Sequence, residues 1–327
     1  MSDTGTQSPT GTVPDPSTEP ASPAPRPPKL ANAPFRDADA DVVLRSCDRT
    51  DFRVHRLILC KSSQVFSDMF SIPQPPQSDA GEPVVEMAET RHALRILLGF
   101  CYSPAGFPLP RAFEDIKVAL DLVRKYQMDG LVPVMKHLLQ TLIAEQPIRV
   151  FAVAWSYQWK DVALAAARCL DLDTLVLGHP FIPEFKEVSA EAVWRLQQYQ
   201  DARKAAIERL ASHWKEWVEP AQMLFPITGE ANRCDCVRFQ RGTRLTRWAT
   251  TMTGWWTEHM SGLHDALKED HRPETVASFE FIMRTLAKAH ACVACREKAA
   301  AAMDAFNIYF KKKMESTVSE LGLETPF

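Results

Sequence analysis

Cys234-Asp-Cys236 and His290-Ala-Cys292-Val-Ala-Cys295 form the one constellation in this sequence with the character of metal ligands. Zinc takes four soft or borderline donors in a tetrahedron, and four thiolates satisfy it, with His290 as an alternative to one of them. The Cys292-x-x-Cys295 spacing is common for half of such a site. Cys234-x-Cys236 is less usual, and 55 residues separate the halves, so tertiary folding has to bring them together. A structural zinc is the one cofactor the chain suggests. A catalytic zinc would lack its general base, because no Glu sits beside the ligands. Two other readings stand beside the metal: Cys292 and Cys295 as buried neighbours on a helix, or as a redox pair, the latter without thioredoxin-like strand–helix surroundings. Cys47, Cys60, Cys101 and Cys169 stand singly in apolar segments and read as small buried hydrophobes.

Arg233, Arg238, Arg241, Arg244 and Arg247 lie near Trp248, Trp255 and Trp256. Arg238, Arg241 and Arg244 step by three, which on a helix gives one basic face, and a basic face with aromatics is one way to bind nucleic acid. The alternative is a solvated arginine stripe opposite a tryptophan-bearing core, and the net charge of −3 favours it. Phe151, Trp155 and Trp159 recur every fourth residue, as core does first and a partner groove second. There is no phosphate-binding glycine loop, catalytic triad order or zinc-protease motif, and the chain has only 12 glycines.

The elements that position these residues follow from hydrophobic spacing. Asp41-Val-Val-Leu44 reads as a short buried strand and Asp51-Phe-Arg-Val-His55 as a half-buried one, joined by a turn at Asp48–Thr50. Leu57, Ile58, Val65, Phe66, Met69 and Phe70 have helical spacing, interrupted at Ser62-Ser63. Val84-Val-Glu-Met87 is a third strand, and Thr90 is an N-cap for a helix carrying Leu94, Leu97, Leu98 and Cys101. Further helices follow around Ile116–Val123 and Leu131–Leu142. After Pro147 no strand signal remains. The spacing predicts a helical hairpin over 148–159 and 161–171, one long helix over 189–218, and helices over 238–267, 274–290 and 296–320.

The chain of 327 residues, 46% hydrophobic and 24% charged, is globular in composition and long enough for two cores. No apolar run approaches the ~18 residues of a membrane span, and Met1–Pro34 lacks a secretion signal; an intracellular location is expected, in cytoplasm or nucleus. Residues 1–34 hold nine of the 24 prolines and almost no aliphatics, so they read as a disordered tail. Domains are expected at 35–146, of α+β class, and at 147–327, all helical.

Asp41-Val-x-Leu44, then Phe52-x-Val-His55-Arg56-x-Ile-Leu59, then Ser62-Ser63-x-x-Phe66-x-x-Met69-Phe70, followed by the Val-Val-Glu-Met strand and paired helices, resembles a BTB/POZ domain over residues 35–144. The Trp-rich helical remainder is similar in texture to a large set of BTB proteins of mushroom-type fungi. The resemblance implies a protein–protein interaction module without enzymatic activity, acting as scaffold or adaptor, with a second copy or a cullin among its partners. It also implies a charged pocket at a dimer interface, whose acid and base fall on Asp41 and Arg56; the alternative is that this pair only pins the hairpin to the following helix. His55 reads as structural. Two features depart from the family. The proline-rich tail occupies the place of the helix and strand that swapped dimers carry, and Ser71-Ile-Pro-Gln-Pro-Pro76 lacks the acid of cullin-3 binders until Asp79. A substrate adaptor of a cullin-3-type ubiquitin ligase and a nuclear or transcriptional regulator are the two alternatives to a plain scaffold.

Overall fold

A computed structural model describes residues 27–72, 82–102, 107–172, 181–218, 237–238 and 252–327. The chain divides into two compact units, residues 1–110 with 117–129, and residues 111–116 with 130–327.

The first unit is built on a sheet of strands β1 (Lys29–Leu30), β2 (Val42–Arg45), β3 (Thr50–Val54) and β4 (Val84–Glu86), in the order β1-β3-β2-β4. β2 and β3 form the expected antiparallel hairpin, and β1 and β4 add in parallel at its two edges. β1 falls inside the segment read as tail; Lys29 and Ala31 donate their N–H groups to Arg49 and Asp51 at 2.9 and 2.8 Å, and Ala31 is buried. The turn closes on Ser46, whose hydroxyl accepts the Thr50 N–H, with Arg49 in the left-handed region at φ 61°. Arg45 pairs across strands with Asp51 at 2.6 and 2.8 Å and with Glu86, a charge pairing that fixes register. Thr50, Phe52 and Val54 alternate inward and meet Val42 and Leu44.

Helices α1 (Arg56–Ser62) and α2 (Gln64–Ser71) follow, then α3 (Arg91–Cys101) and α4 (Phe113–Lys125). The break at Ser63 lies beside the Ser62-Ser63 interruption seen in the sequence. Ser63 is extended, its hydroxyl accepts the Phe66 N–H and donates to the Tyr126 carbonyl at 2.6 Å. Thr90 caps α3 by accepting the Ala93 N–H, and Asp48 accepts the Arg91 N–H at 2.8 Å. Leu59, Phe66, Leu94, Leu97 and Leu98 are fully buried on the helices.

The second unit is helical: α5 (Val132–Thr141), α6 (Pro147–Ser156), α7 (Lys160–Cys169), α8 (Ala190–Ser212), α9 (Trp214–Trp217), α10 (Gly254–Glu269), α11 (Pro273–Val276), α12 (Phe279–His290) and α13 (Val293–Ser319). α6 and α7 form the predicted hairpin, with Phe151 and Trp155 buried. Buried Arg203 of α8 donates to the carbonyls of Ala167, Arg168 and Leu170 at 3.0–3.2 Å, which satisfies the C-terminal end of α7. No helix among the described residues is long and apolar enough to cross a membrane.

Three expectations for this unit are corrected. The helix over 189–218 ends at Ser212; His213 turns out of it and the Trp217 indole donates to the Leu210 carbonyl at 2.9 Å, folding the last turn back. The helix over 274–290 is two, because Ser278 caps α12 by accepting the Phe281 N–H. A strand is present after Pro147: β5 (Val237–Arg238) pairs antiparallel with β6 (Met252–Thr253), and α10 starts only at Gly254. A two-residue ladder is too short to leave a periodic signal.

Candidate functional site

The motif segment 41–72 folds around the start of α1. Asp41 Oδ1 accepts the backbone N–H of Arg56 at 2.8 Å, so the acid caps the helix from the preceding strand entrance. The Arg56 side chain turns away from that bond. Its guanidinium lies over the Phe70 ring at 5.3 Å, and its Nε is buried without a hydrogen-bond partner among the described residues. Asp41 and Arg56 are thus brought together through the Arg56 backbone. An arginine stacked on an aromatic keeps both a charge and an apolar contact.

His55 precedes α1 with its backbone N–H donating to the Tyr102 hydroxyl at 2.8 Å; its Nδ1 is 3.1 Å from the same hydroxyl, and its Nε2 is 3.5 Å from exposed Asp39. Burial pushes the Tyr102 hydroxyl up to about 12. The hydroxyl therefore stays protonated at neutral pH and holds His55 in place rather than acting as a base. Sequence reading found His55 but had no signal for Tyr102, which lies 47 residues further on.

α1 and the residue that follows α2 leave apolar side chains outward. Leu57 is 65% exposed and Ile72 60%, while Met69 and Phe70 are half-buried. Large apolar side chains exposed on adjoining helices are the raw material of an interface.

Of the metal-ligand candidates, Cys292 stands at the N-cap of α13 and Cys295 is buried one turn later, its N–H donating to the Cys292 carbonyl at 3.2 Å. His290 ends α12, and its carbonyl accepts from Arg296 at 3.1 and 3.2 Å. Cys234 and Cys236 lie outside the described residues. Among the described residues no group of three or more His, Cys, Asp or Glu is arranged to hold a metal ion. Cys47 and Cys169, expected inside, are exposed: Cys47 lies in the turn between β2 and β3, and Cys169 is the last residue of α7.

The arginine stripe does not sit on one helix: Arg238 is in strand β5, while Arg233, Arg241, Arg244, Arg247 and Trp248 lie outside the described residues. Trp255 and Trp256 are 4% and 2% exposed, packed in the helical core with Trp214, Phe306 and Phe310, so they offer no stacking platform.

Residues 32–142 match the family model described as the BTB/POZ domain. No curated protein matches the chain. Among solved structures, the BTB domain of zebrafish PATZ1 is similar at 19% identity, covering 31% of this chain and 76% of that one, with a TM-score of 0.25. The N-terminal part of the chain is a BTB/POZ domain of short strands and helices, a protein–protein interaction module, and a helical region follows it.

Proposed function

We propose that the chain is a non-enzymatic association protein, a scaffold or adaptor whose BTB/POZ domain docks a partner or a second copy while the helical region offers a separate surface. The family match over residues 32–142 carries this reading. It is supported by the exposed apolar side chains of Leu57 on α1 and Ile72 just after α2, and by the surroundings of His55, where among the described residues a protonated tyrosine and an exposed aspartate are the side-chain partners. The Trp-rich helical region fits the BTB proteins of mushroom-type fungi that the sequence resembles. Adaptor function in a cullin-3 ligase and nuclear regulation are the finer readings. The acid-poor stretch after Phe70 weighs against the first, and residues 73–81 of that stretch lie outside the described residues.

Calorimetric titration of the full chain with the N-terminal half of a cullin-3 protein separates these readings. Binding at micromolar Kd, about −8 kcal/mol, makes the chain an adaptor. No heat at two temperatures, together with a solution mass that rises with concentration, makes it a self-associating scaffold. A strictly monomeric chain that captures no protein partner would remove the association reading.

We also propose that Cys234, Cys236, Cys292 and Cys295 hold one structural zinc, with His290 as an alternative ligand. Several contacts among described residues support this. β5 begins one residue after Cys236, and its Val237 pairs with Thr253, the N-cap of α10. α10 runs antiparallel to α12, with Lys288 bonded to Glu258 at 2.6 Å and Thr285 to His259 at 2.9 Å. The start of α10 and the end of α12 therefore lie at one end of the helix pair, where Cys292 opens α13. A zinc there would tie these ends together, adding to stability rather than to chemistry. Metal analysis of freshly purified protein should give one zinc per chain, lost together with thermal stability in Cys292→Ser. Zinc-free protein overturns the proposal.

A further inference from the structure

The first unit has an open cleft of about 430 Å³ where the edge of the sheet meets the start of α3. Its floor is the end of the core, formed by Phe35, Phe52 and Thr50, all buried. Its rim carries Lys29 from β1 and Arg91, His92 and Arg95 from the first turns of α3; all four are exposed, and among the described residues no Asp or Glu lines the cleft. Arg91 and Arg95 are four residues apart and share one helix face, and Arg95 also lies over the Phe107 ring at 6.0 Å. Three fixed cations around an apolar floor attract a ligand that is anionic at its edges and apolar in its middle.

One wall of the cleft is the outer strand of the sheet. Lys29 and Ala31 direct their N–H groups to β3, so by the alternation of a parallel ladder the N–H and C=O of Leu30 point to the other side. Leu30 is 52% exposed and lines the cleft. An unpaired strand edge recognises an extended polypeptide, which adds a strand through its own backbone. A nucleic acid would use the cations but neither the strand edge nor the apolar floor.

We propose that this cleft receives an extended acidic segment of a partner protein, which runs along the outer edge of β1, sets an apolar side chain over Phe35 and Phe52, and places its carboxylates against Lys29, Arg91 and Arg95. The proposal rests on reading this domain as an interaction module and adds the chemistry of one partner. Its test uses neither cullin nor self-association, so either can fail alone.

The experiment titrates the full chain into a fluorescein-labelled ten-residue peptide that alternates glutamate with valine and leucine, read by anisotropy. Saturable binding is expected, weakening as salt rises. Arg91→Glu/Arg95→Glu should lower the affinity by about ten-fold or more, and Lys29→Glu by less. The thermal unfolding midpoint of each variant checks that the fold is intact. The same peptide N-methylated at alternate residues should lose binding, because it cannot pair with a strand edge. Equal binding of the lysine counterpart of the peptide, or undiminished binding by a folded double variant, overturns the proposal. Displacement of the peptide by a short DNA duplex that binds more tightly, with the same variant dependence, would assign the cleft to nucleic acid and overturn it as well.

Discussion

His259 is the residue whose environment departs furthest from anything its sequence neighbours announce. It is 3% exposed, between the rings of Trp256, Phe281 and Phe306 at 4.9–5.7 Å. Thr285 donates to the Phe281 carbonyl, so its oxygen is placed to accept the Nδ1–H of a neutral imidazole. Burial lowers the pKa of His259 from 6.5 to about 3. The unfolded chain therefore takes up a proton near pH 6.5 that the folded chain refuses until about pH 3. The contribution of His259 to stability is complete above pH 6.5 and is lost as pH falls through that interval. Urea unfolding followed by tryptophan fluorescence should show lower stability at pH 5 than at pH 7, and His259→Phe should flatten that difference. Equal slopes in the two proteins would show that His259 does not carry it. Asp41 illustrates the converse: its position was legible from the motif, yet the bond it makes, to the Arg56 backbone 15 residues on, depends on how the hairpin returns the chain to the start of β2.

At the scale of elements, capping decides where helices begin and tertiary hydrogen bonds decide where they stop. Ser63 separates α1 from α2 and also holds the Tyr126 carbonyl at the end of α4. Ser63→Ala removes both bonds and leaves a buried carbonyl unpaired, so it should cost about 1–2 kcal/mol, measured by chemical denaturation, with Ser63→Thr retaining most of the stability. A loss below the error of the measurement would mean that the break is set by packing alone. The Ser62-Ser63 interruption and the Thr90 cap could be read in the chain because a cap is a local device. The end of α8 could not, since the bond from Trp217 to Leu210 and the packing of Trp214 on Trp256 join segments whose contact the sequence does not show. Arg203 behaves likewise: it is buried because α7 ends beside it with three carbonyls to satisfy, a contact between segments that are far apart in the chain.

For the whole molecule, the consequence is a division between side chains that hold the chain together and side chains that hold it to something else. Leu57, with two-thirds of its surface outside the core, is assigned to the second kind by the proposed function. Leu57→Asp should change the unfolding free energy by no more than ~0.5 kcal/mol while weakening association with a second copy or protein partner. Light scattering across a concentration series, paired with a denaturation curve, reads both quantities. A destabilised but equally associating variant would place Leu57 among the structural residues instead.

The sequence by itself determined the β2–β3 hairpin, β4, the helices from α1 to α7, the BTB/POZ domain and the helical character of the region after it, because hydrophobic period, caps and a long ordered motif are properties of neighbouring residues. Residue type and spacing marked the cysteine pairs as candidates, and the family resemblance marked Asp41 and Arg56. Only the tertiary structure decided that Asp41 binds a backbone amide, that Arg56 stacks on Phe70, that Trp255 and Trp256 are core, and that Lys29 stands across a cleft from Arg91 and Arg95. Each of these depends on the distance and angle between segments far apart in the chain. Those are set by how the elements pack, and no single segment encodes them.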